Sequence, residues 1–413
     1  MQSYASPLSF SESPASVSSP ACTLTRAGVI GTLVGLTLLF PGCGSGNHSN
    51  KQCAFFCESN NNYVYTANAG GNSSTISALA SDAVSGKITP VAGSPYNDSG
   101  SGALAITKAF GGPLYVANNS SGNISAFTVD TLTGKLTTVP GSPFRAEMGM
   151  DSITTDPSAT FLYAVTGDST NLWAYSINSN GSLTLLPNMP AAIPAAANGS
   201  SAVVLDPAGK YLYVMMQSNL ASNIYGFVRD SNTGALTALS GFPKPLDGFA
   251  NKATFDPSGK FLLVAGTDVF GTAGGIDVFN VNSTNGALSL NAGSPVQVGD
   301  DPSAITFDAL GIYLYVTNTV DATISEFTFD GPAGTLSAIS GSPISSGGKG
   351  SINGPLGIAV SSTDEFVYVS NASNDISVFT INSTGNGIGG LAPIAGSPFA
   401  SGGNAPSGIV FVP

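Results

Sequence analysis

Three ionisable side chains, Arg145, Glu147 and Asp151, fall within seven positions, and a lysine, Lys252, stands about a hundred residues further on. Together they supply what attack of water on a carbonyl demands: a carboxylate to take a proton from water and a cation to meet the developing oxyanion. Glu147 and Asp151 are the candidate bases, with Arg145 and Lys252 as candidate anion-binding groups. No cofactor is expected and no metal site is assigned. The alternative is a divalent cation held by the oxygen ligands of Asp151, Asn251 and Asp301, which no spacing selects. Imidazole chemistry is excluded, because the single histidine, His48, precedes all the repeated text. Neither a Ser-His-Asp nor a Cys-His nucleophilic site is then available, and zinc hydrolase motifs fail equally. The glycine run around Lys349 is no phosphate cradle either: Pro343 stands where the first Gly of GxxxxGK belongs, and Gly350 follows the lysine.

The elements that must position these groups repeat. Tyr65-Thr-Ala-Asn, Tyr115-Val-Ala-Asn, Tyr315-Val-Thr-Asn and Tyr368-Val-Ser-Asn have degenerate copies at Tyr163, Tyr213 and Leu263, in steps of 50, 48, 50, 50, 52 and 53. That period belongs to propellers and solenoids. Each copy reads as four short strands rich in Val, Ile, Thr, Tyr and Phe, separated by turns such as Asp256-Pro-Ser-Gly and Thr233-Gly. The repeated text opens in mid-repeat at Tyr63 and closes on a spare first strand, Pro406-Ser-Gly-Ile-Val-Phe-Val. The spare strand completes the first blade and hides both sheet edges. The expected fold is therefore all-β: a seven-bladed β-propeller over 63–413 with four-stranded antiparallel blades, its ring closed by the C-terminal strand joining the N-terminal blade.

Alignment of the first strands puts Ala105, Ser152, Ala202, Lys252, Ala304, Gly357 and Gly408 in one register. Small residues suit innermost strands converging on a channel, so the one lysine should reach the channel mouth or a neighbouring carboxylate. One position earlier the register gives Leu104, Asp151, Ser201, Asn251, Ser303, Leu356 and Ser407. The connections between blades carry much of the scarce charge, including Asp98, Asp247, Asp300 and Asp301. Binding groups on a rigid scaffold usually sit on such loops. Trp173 and Tyr225 occupy third-strand positions that are Ser125 and Ser325 in other blades, and could stack on a sugar ring or a partner peptide.

Residues 1–43 read as a signal peptide, with an apolar run from Ala27 to Phe40 too short to span a membrane. Gly42-Cys43 and the polar tether over 44–62 resemble a bacterial lipoprotein signal, which implies lipidation at Cys43 and a place in the outer membrane or periplasm. Plain secretion and a retained anchor are the alternatives. Cys53 and Cys57 lie close enough for a disulfide in an oxidising compartment. Only 9% of residues are charged and the net charge is −12. That excludes the basic stripe nucleic-acid binding needs. A monomer touching membrane only through its lipid is expected.

Tyr315-Val-Thr-Asn is the signature of YVTN-repeat surface propellers, and the endings Thr133-Gly-Lys-Leu-Thr and Thr233-Gly-Ala-Leu-Thr resemble those of lactonase propellers similar to 6-phosphogluconolactonase. The resemblance covers residues 63 to 413. It implies hydrolysis of a sugar-derived or other small lactone by His, Arg and Glu side chains on one face of the ring. The histidine has no match in this chain, and the ring holds only Arg145 and Arg229. The reading favoured from the residues is accordingly a cell-envelope scaffold that binds a ligand or partner, with lactone hydrolysis as the alternative. A small-molecule lactone, a carbohydrate or an envelope protein is the expected partner.

Overall fold

The computed structural model describes residues 62–413 apart from 71–73, 194–198, 219–220, 272, 348–353 and 385–386. The lipidation candidate Cys43, the cysteines Cys53 and Cys57, the signal segment and the tether up to residue 61 lie outside the described residues.

Seven sheets stand around one axis, and among the described residues there is no helix. The innermost strands are Ala103–Lys108, Met150–Thr155, Gly199–Leu205, Gly248–Phe255, Pro302–Phe307 and Pro355–Val360 for blades 2 to 7, and Pro406–Val412 for blade 1. Blade 1 is closed as the sequence predicts: Asn62–Asn68 pairs antiparallel with Pro406–Val412, Tyr63 opposite Val412. That pairing covers the edge of Asn62–Asn68 that would otherwise lie open.

Each blade runs antiparallel outward, and its fourth strand is broken in two. In blade 2 both Leu136–Thr138 and Phe144–Arg145 pair with the third strand, Asn123–Val129. Between them the chain swings out through Gly141-Ser142-Pro143, and Ser142 Oγ accepts the Ala126 N–H, 2.9 Å away, that the detour leaves unpaired. Ser94, Ser294, Ser342 and Ser397 do the same for Ala78, Val278, Glu326 and Val378. This accounts for the recurrence of Gly-Ser-Pro, since a buried backbone donor without an acceptor is costly.

The repeated tyrosine binds blade to blade. Tyr65, Tyr115, Tyr163, Tyr213 and Tyr315 each donate through the hydroxyl to a hairpin carbonyl of the next blade, at Gly134, Gly181, Gly234, Gly286 and Gly389, over 2.7 to 2.9 Å. Tyr368 closes the ring against Ser81 Oγ at 2.6 Å. All six rings are fully buried, so each contributes apolar area and one satisfied hydroxyl to a seam between blades.

Candidate functional site

Every inner strand carries a β-bulge near its start. In blade 3 Met150 pairs with Thr166 and Ser152 with Val165, which leaves Asp151 unpaired between them. Asn251 is skipped in the same way in blade 5, Leu104 in blade 2, Ser201 in blade 4, Ser303 in blade 6 and Leu356 in blade 7. In blade 1 the register slips across Ser407. A bulge turns its extra side chain out of the alternation of the strand, and these seven line one cavity of about 480 Å3 at the mouth of the central channel.

Three of the seven bulge residues tie one inner strand to the next. Asn251 Nδ2 donates to Pro302 O at 3.0 Å, Ser303 Oγ to Pro355 O at 2.7 Å and Ser407 Oγ to Ala103 O at 2.8 Å, each reaching the next inner strand. Leu104 and Leu356 are apolar. The two remaining polar residues make no such link either. Asp151, a carboxylate, has no proton to donate, and Gln217 Nε2 already occupies Ala250 O, at 3.1 Å, on the strand beside Ser201. Ser201 Oγ lies buried on the cavity wall without a partner among the described residues, at 8% exposure.

Lys252 follows its bulge by one residue and lines the same cavity. The six equivalent residues are small, so its side chain is the only long one of that register at the mouth. Burial lowers its pKa, and the Asp151 charge opposes that shift. Burial raises the Asp151 carboxyl, Lys252 pulls it back, Asp168 pushes it further up, and Asn119 Nδ2, 3.1 Å from Oδ1, lowers it. The two charges act on one another without closing to an ion pair. Among the described residues the one ion pair is Arg229–Asp156, at 3.5 Å.

The other candidates disperse. Arg145 ends the broken fourth strand of blade 2 and is exposed. Glu147 turns away from the channel to the edge of blade 3, where Oε2 accepts from Asn171 Nδ2 at 2.7 Å, Ser169 Oγ at 3.2 Å and Trp173 Nε1 at 3.4 Å. The expected foursome of Arg145, Glu147, Asp151 and Lys252 is therefore corrected to a pair. Asp301 lies on the cavity wall and accepts from Asn251 Nδ2 at 3.1 Å, whereas Asp300 bonds through its backbone N–H to Asp321. Asn251 thus presents its amide donor to Asp301, which is the wrong polarity for a shared cation. No group of three or more His, Cys, Asp or Glu among the described residues is arranged to hold a metal ion.

Trp173 is also corrected. It is 7% exposed, stacked 6.2 Å from Tyr175 and packed in the core shared with blade 2, so it offers no face to a sugar ring. Tyr225, half-buried, packs against the apolar core shared by blades 3 and 4. Ser201 and Asn119 were not singled out from the sequence. The bulge register that contains Ser201 was the available signal; nothing marked Asn119.

An all-β ring of seven blades, each an antiparallel sheet, with a cavity at its channel mouth defines a seven-bladed β-propeller. A family model described as lactonase, 7-bladed beta-propeller, matches residues 36–151, 142–292 and 250–389, and the chain belongs to that family. No curated protein matches it. Among solved structures it is similar to the periplasmic gluconolactonase of Pseudomonas aeruginosa, with 18% identity over 85% of this chain and 99% of that one and a TM-score of 0.66. It is also similar to a protein from Lactobacillus plantarum, with 17% identity over 86% and 99% of the two chains and a TM-score of 0.66. At such identities the likeness is one of fold.

Proposed function

We propose that the protein binds a small hydroxylated carboxylate or the corresponding lactone at the channel mouth, on the side formed by blades 3, 4 and 5. The observation that carries this reading is the unclosed pair Lys252 and Asp151 within one cavity, with the unpartnered Ser201 hydroxyl between their blades. A cation in a poorly solvated site attracts a carboxylate or a polarised carbonyl, and a hydroxyl with no partner gains by donating to a ligand oxygen.

A second reading, hydrolysis of the lactone, has its own support. Burial raises the pKa of the Asp151 carboxyl, the direction that makes a carboxylate a better proton acceptor. Asp151 would take a proton from water as its oxygen attacks the carbonyl and Lys252 would meet the oxyanion; collapse of the tetrahedral intermediate would then break the ring C–O bond, the proton passing from Asp151 to the departing oxygen. Membership of the lactonase family favours the same ligand class. Export of the chain and its tethering through Cys43 complete the proposal.

The test uses purified protein with gluconate for binding and glucono-δ-lactone for turnover above the spontaneous rate. Lys252→Met, which keeps the side-chain volume, should weaken gluconate binding by about tenfold or more, the loss of one charge-assisted contact. Asp151→Asn should keep binding and reduce turnover by about 10²-fold or more. Gluconate affinity unchanged in Lys252→Met would remove the binding reading. Turnover unchanged in Asp151→Asn would remove the hydrolytic one.

A further inference from the structure

A second cavity, of about 570 Å3, lies away from the channel mouth, between the end of blade 4 with its connection, Lys244 to Gly248, and the sheet of blade 5. Its existence follows from a change in the repeat. The third-strand residue paired with the middle of the second strand is Ser77, Ser125, Ser325 or Ser377 in blades 1, 2, 6 and 7. In blade 5 it is Asp277, opposite Val264. The asparagine that binds that serine elsewhere is replaced by Gly266, and the third strand opens on Gly274 and Gly275. A carboxyl group therefore stands in a space that small residues keep open.

The walls are apolar, formed by Phe249, Phe279, Leu288 and Pro295. The loop that follows Asp268, itself on the cavity wall, exposes Val269 at 44% and Phe270 at 82%. The charged groups facing the cavity are Lys244, Asp247, Asp268 and Asp277. Burial pushes the Asp277 carboxyl up to about 6, and the Asp247 charge adds to the shift. No lysine or arginine among the described residues closes an ion pair with Asp247 or Asp277.

We propose that this cleft is a second binding site, for a small organic cation: an ammonium group carried on an aromatic or aliphatic body. Three carboxylates against one lysine repel an anion. A neutral apolar ligand would leave Asp277 desolvated and unpaired, at a cost that an ammonium removes. A hydrated metal ion would gain nothing from Phe249 and Phe279, whereas an aromatic amine buries its ring against them while its charge meets Asp277. The volume falls within the range of small-molecule pockets, about 300–1,000 Å3. This inference stands apart from the channel-mouth reading, since no residue lines both cavities.

The probe is 2-phenylethylamine, titrated calorimetrically into the purified protein at pH 7.5, with 2-phenylethanol as the neutral control. Saturable binding of the amine is expected, with the alcohol and the Asp277→Ser variant each weaker by about tenfold or more. Serine is the residue four other blades carry at this position, so the variant should keep its fold, verified by an unchanged melting temperature. Should it fail to fold, exposed Asp247→Asn replaces it, with about a threefold loss expected from the weaker field. Affinity should also fall as pH drops below about 6, where Asp277 takes up a proton. Absence of saturable amine binding, equal affinity for the alcohol, or an unchanged affinity in the folded variant would each overturn the proposal. Gluconate binding by Asp277→Ser reports separately on the channel mouth.

Discussion

Blades 6, 7, 1 and 2 form one continuous arc of the ring, and blades 3, 4 and 5 form the other. In the first arc the asparagine ending each tetrapeptide reaches across to the third strand. Asn118 Nδ2, for instance, donates to Asn123 Oδ1 at 2.8 Å and Ser125 Oγ at 2.9 Å. Asn68, Asn318 and Asn371 repeat the latch with Ser77, Ser325 and Ser377. Connecting glycines must pass against it: a Cβ on Gly100 would lie 2.1 Å from Asn118 Nδ2, and one on Gly403 would lie 2.2 Å from Asn68 Nδ2. In the second arc the asparagine becomes Thr166, Met216 or Gly266, and the serine becomes Trp173, Tyr225 or Asp277. Asp151, Ser201, Lys252 and the blade 5 cleft all lie in that second arc. Four blades carry the latch, and the other three place different side chains at the same positions.

The largest effect expected concerns a fault within the latched arc. Glu326 of blade 6 stands where the other third strands have Ala78, Ala126, Ala174, Gly226, Val278 and Val378, and it is 1% exposed. Burial pushes its carboxyl up to about 7, while the Leu391 N–H, 2.6 Å from Oε1, works the other way. A carboxyl whose folded pKa is raised leaves stability intact below its unfolded value near 4.5 and reduces it as pH climbs toward 7. Glu326→Gln keeps the acceptor and removes the charge. It should stabilise the protein by about 3 kcal/mol above pH 7 and by almost nothing near pH 4.5. Melting curves across that range measure the difference, and equal stabilisation at both ends would remove Glu326 as the titrating group.

The next effect tests the comparison directly. Asn118→Ala deletes both latch bonds and leaves the buried Ser125 without its donor, for a cost of about 2 kcal/mol. Thr166→Ala, at the matching site of blade 3, loses one hydroxyl contact, to Ser169 at 2.6 Å, and should cost about 1 kcal/mol or less. Denaturant midpoints of the two variants settle the ranking. Equal losses would mean that the second arc is latched by other means.

Much of the scaffold was legible because strands repeat with period two and turns repeat in residue type. The ring closure at Pro406–Val412 and the equivalence of Ser125, Trp173 and Tyr225 both follow from counting along the sequence. The site was only half legible, for reasons of geometry. Asp151 and Lys252 share one cavity because a bulge re-aims the strand start, and a bulge leaves no mark in composition. Arg145 and Glu147 looked adjacent to Asp151, yet one ends the outermost strand of blade 2 and the other turns to the edge of blade 3. Trp173 stood out as the lone tryptophan, but a large ring on a central strand is taken up by the seam between blades. Asp277 shared its register with Trp173 and Tyr225, and extending that column by one blade would have found it.

The smallest effect probes how the second arc repairs itself. Blade 5 is the one blade without the tetrapeptide tyrosine, since Leu263 takes its place, and by the pattern of the others that hydroxyl would meet Gly334 O. Asn291 supplies the missing bond: its Nδ2 donates to Ala333 O at 2.8 Å and Gly334 O at 3.2 Å. The corresponding turn residues elsewhere are apolar, as at Val91, Val139 and Ile339, all buried. Two solutions to one seam then exist within one chain. Asn291→Val alone should cost about 1 kcal/mol, one net hydrogen bond. Adding Leu263→Tyr should recover most of it, because the hydroxyl regains the carbonyl and the valine restores the apolar turn. A double-mutant cycle gives a favourable coupling if the two side chains serve the same acceptor. Additive losses would show that the tyrosine of the other blades works through ring burial and that its hydroxyl adds nothing.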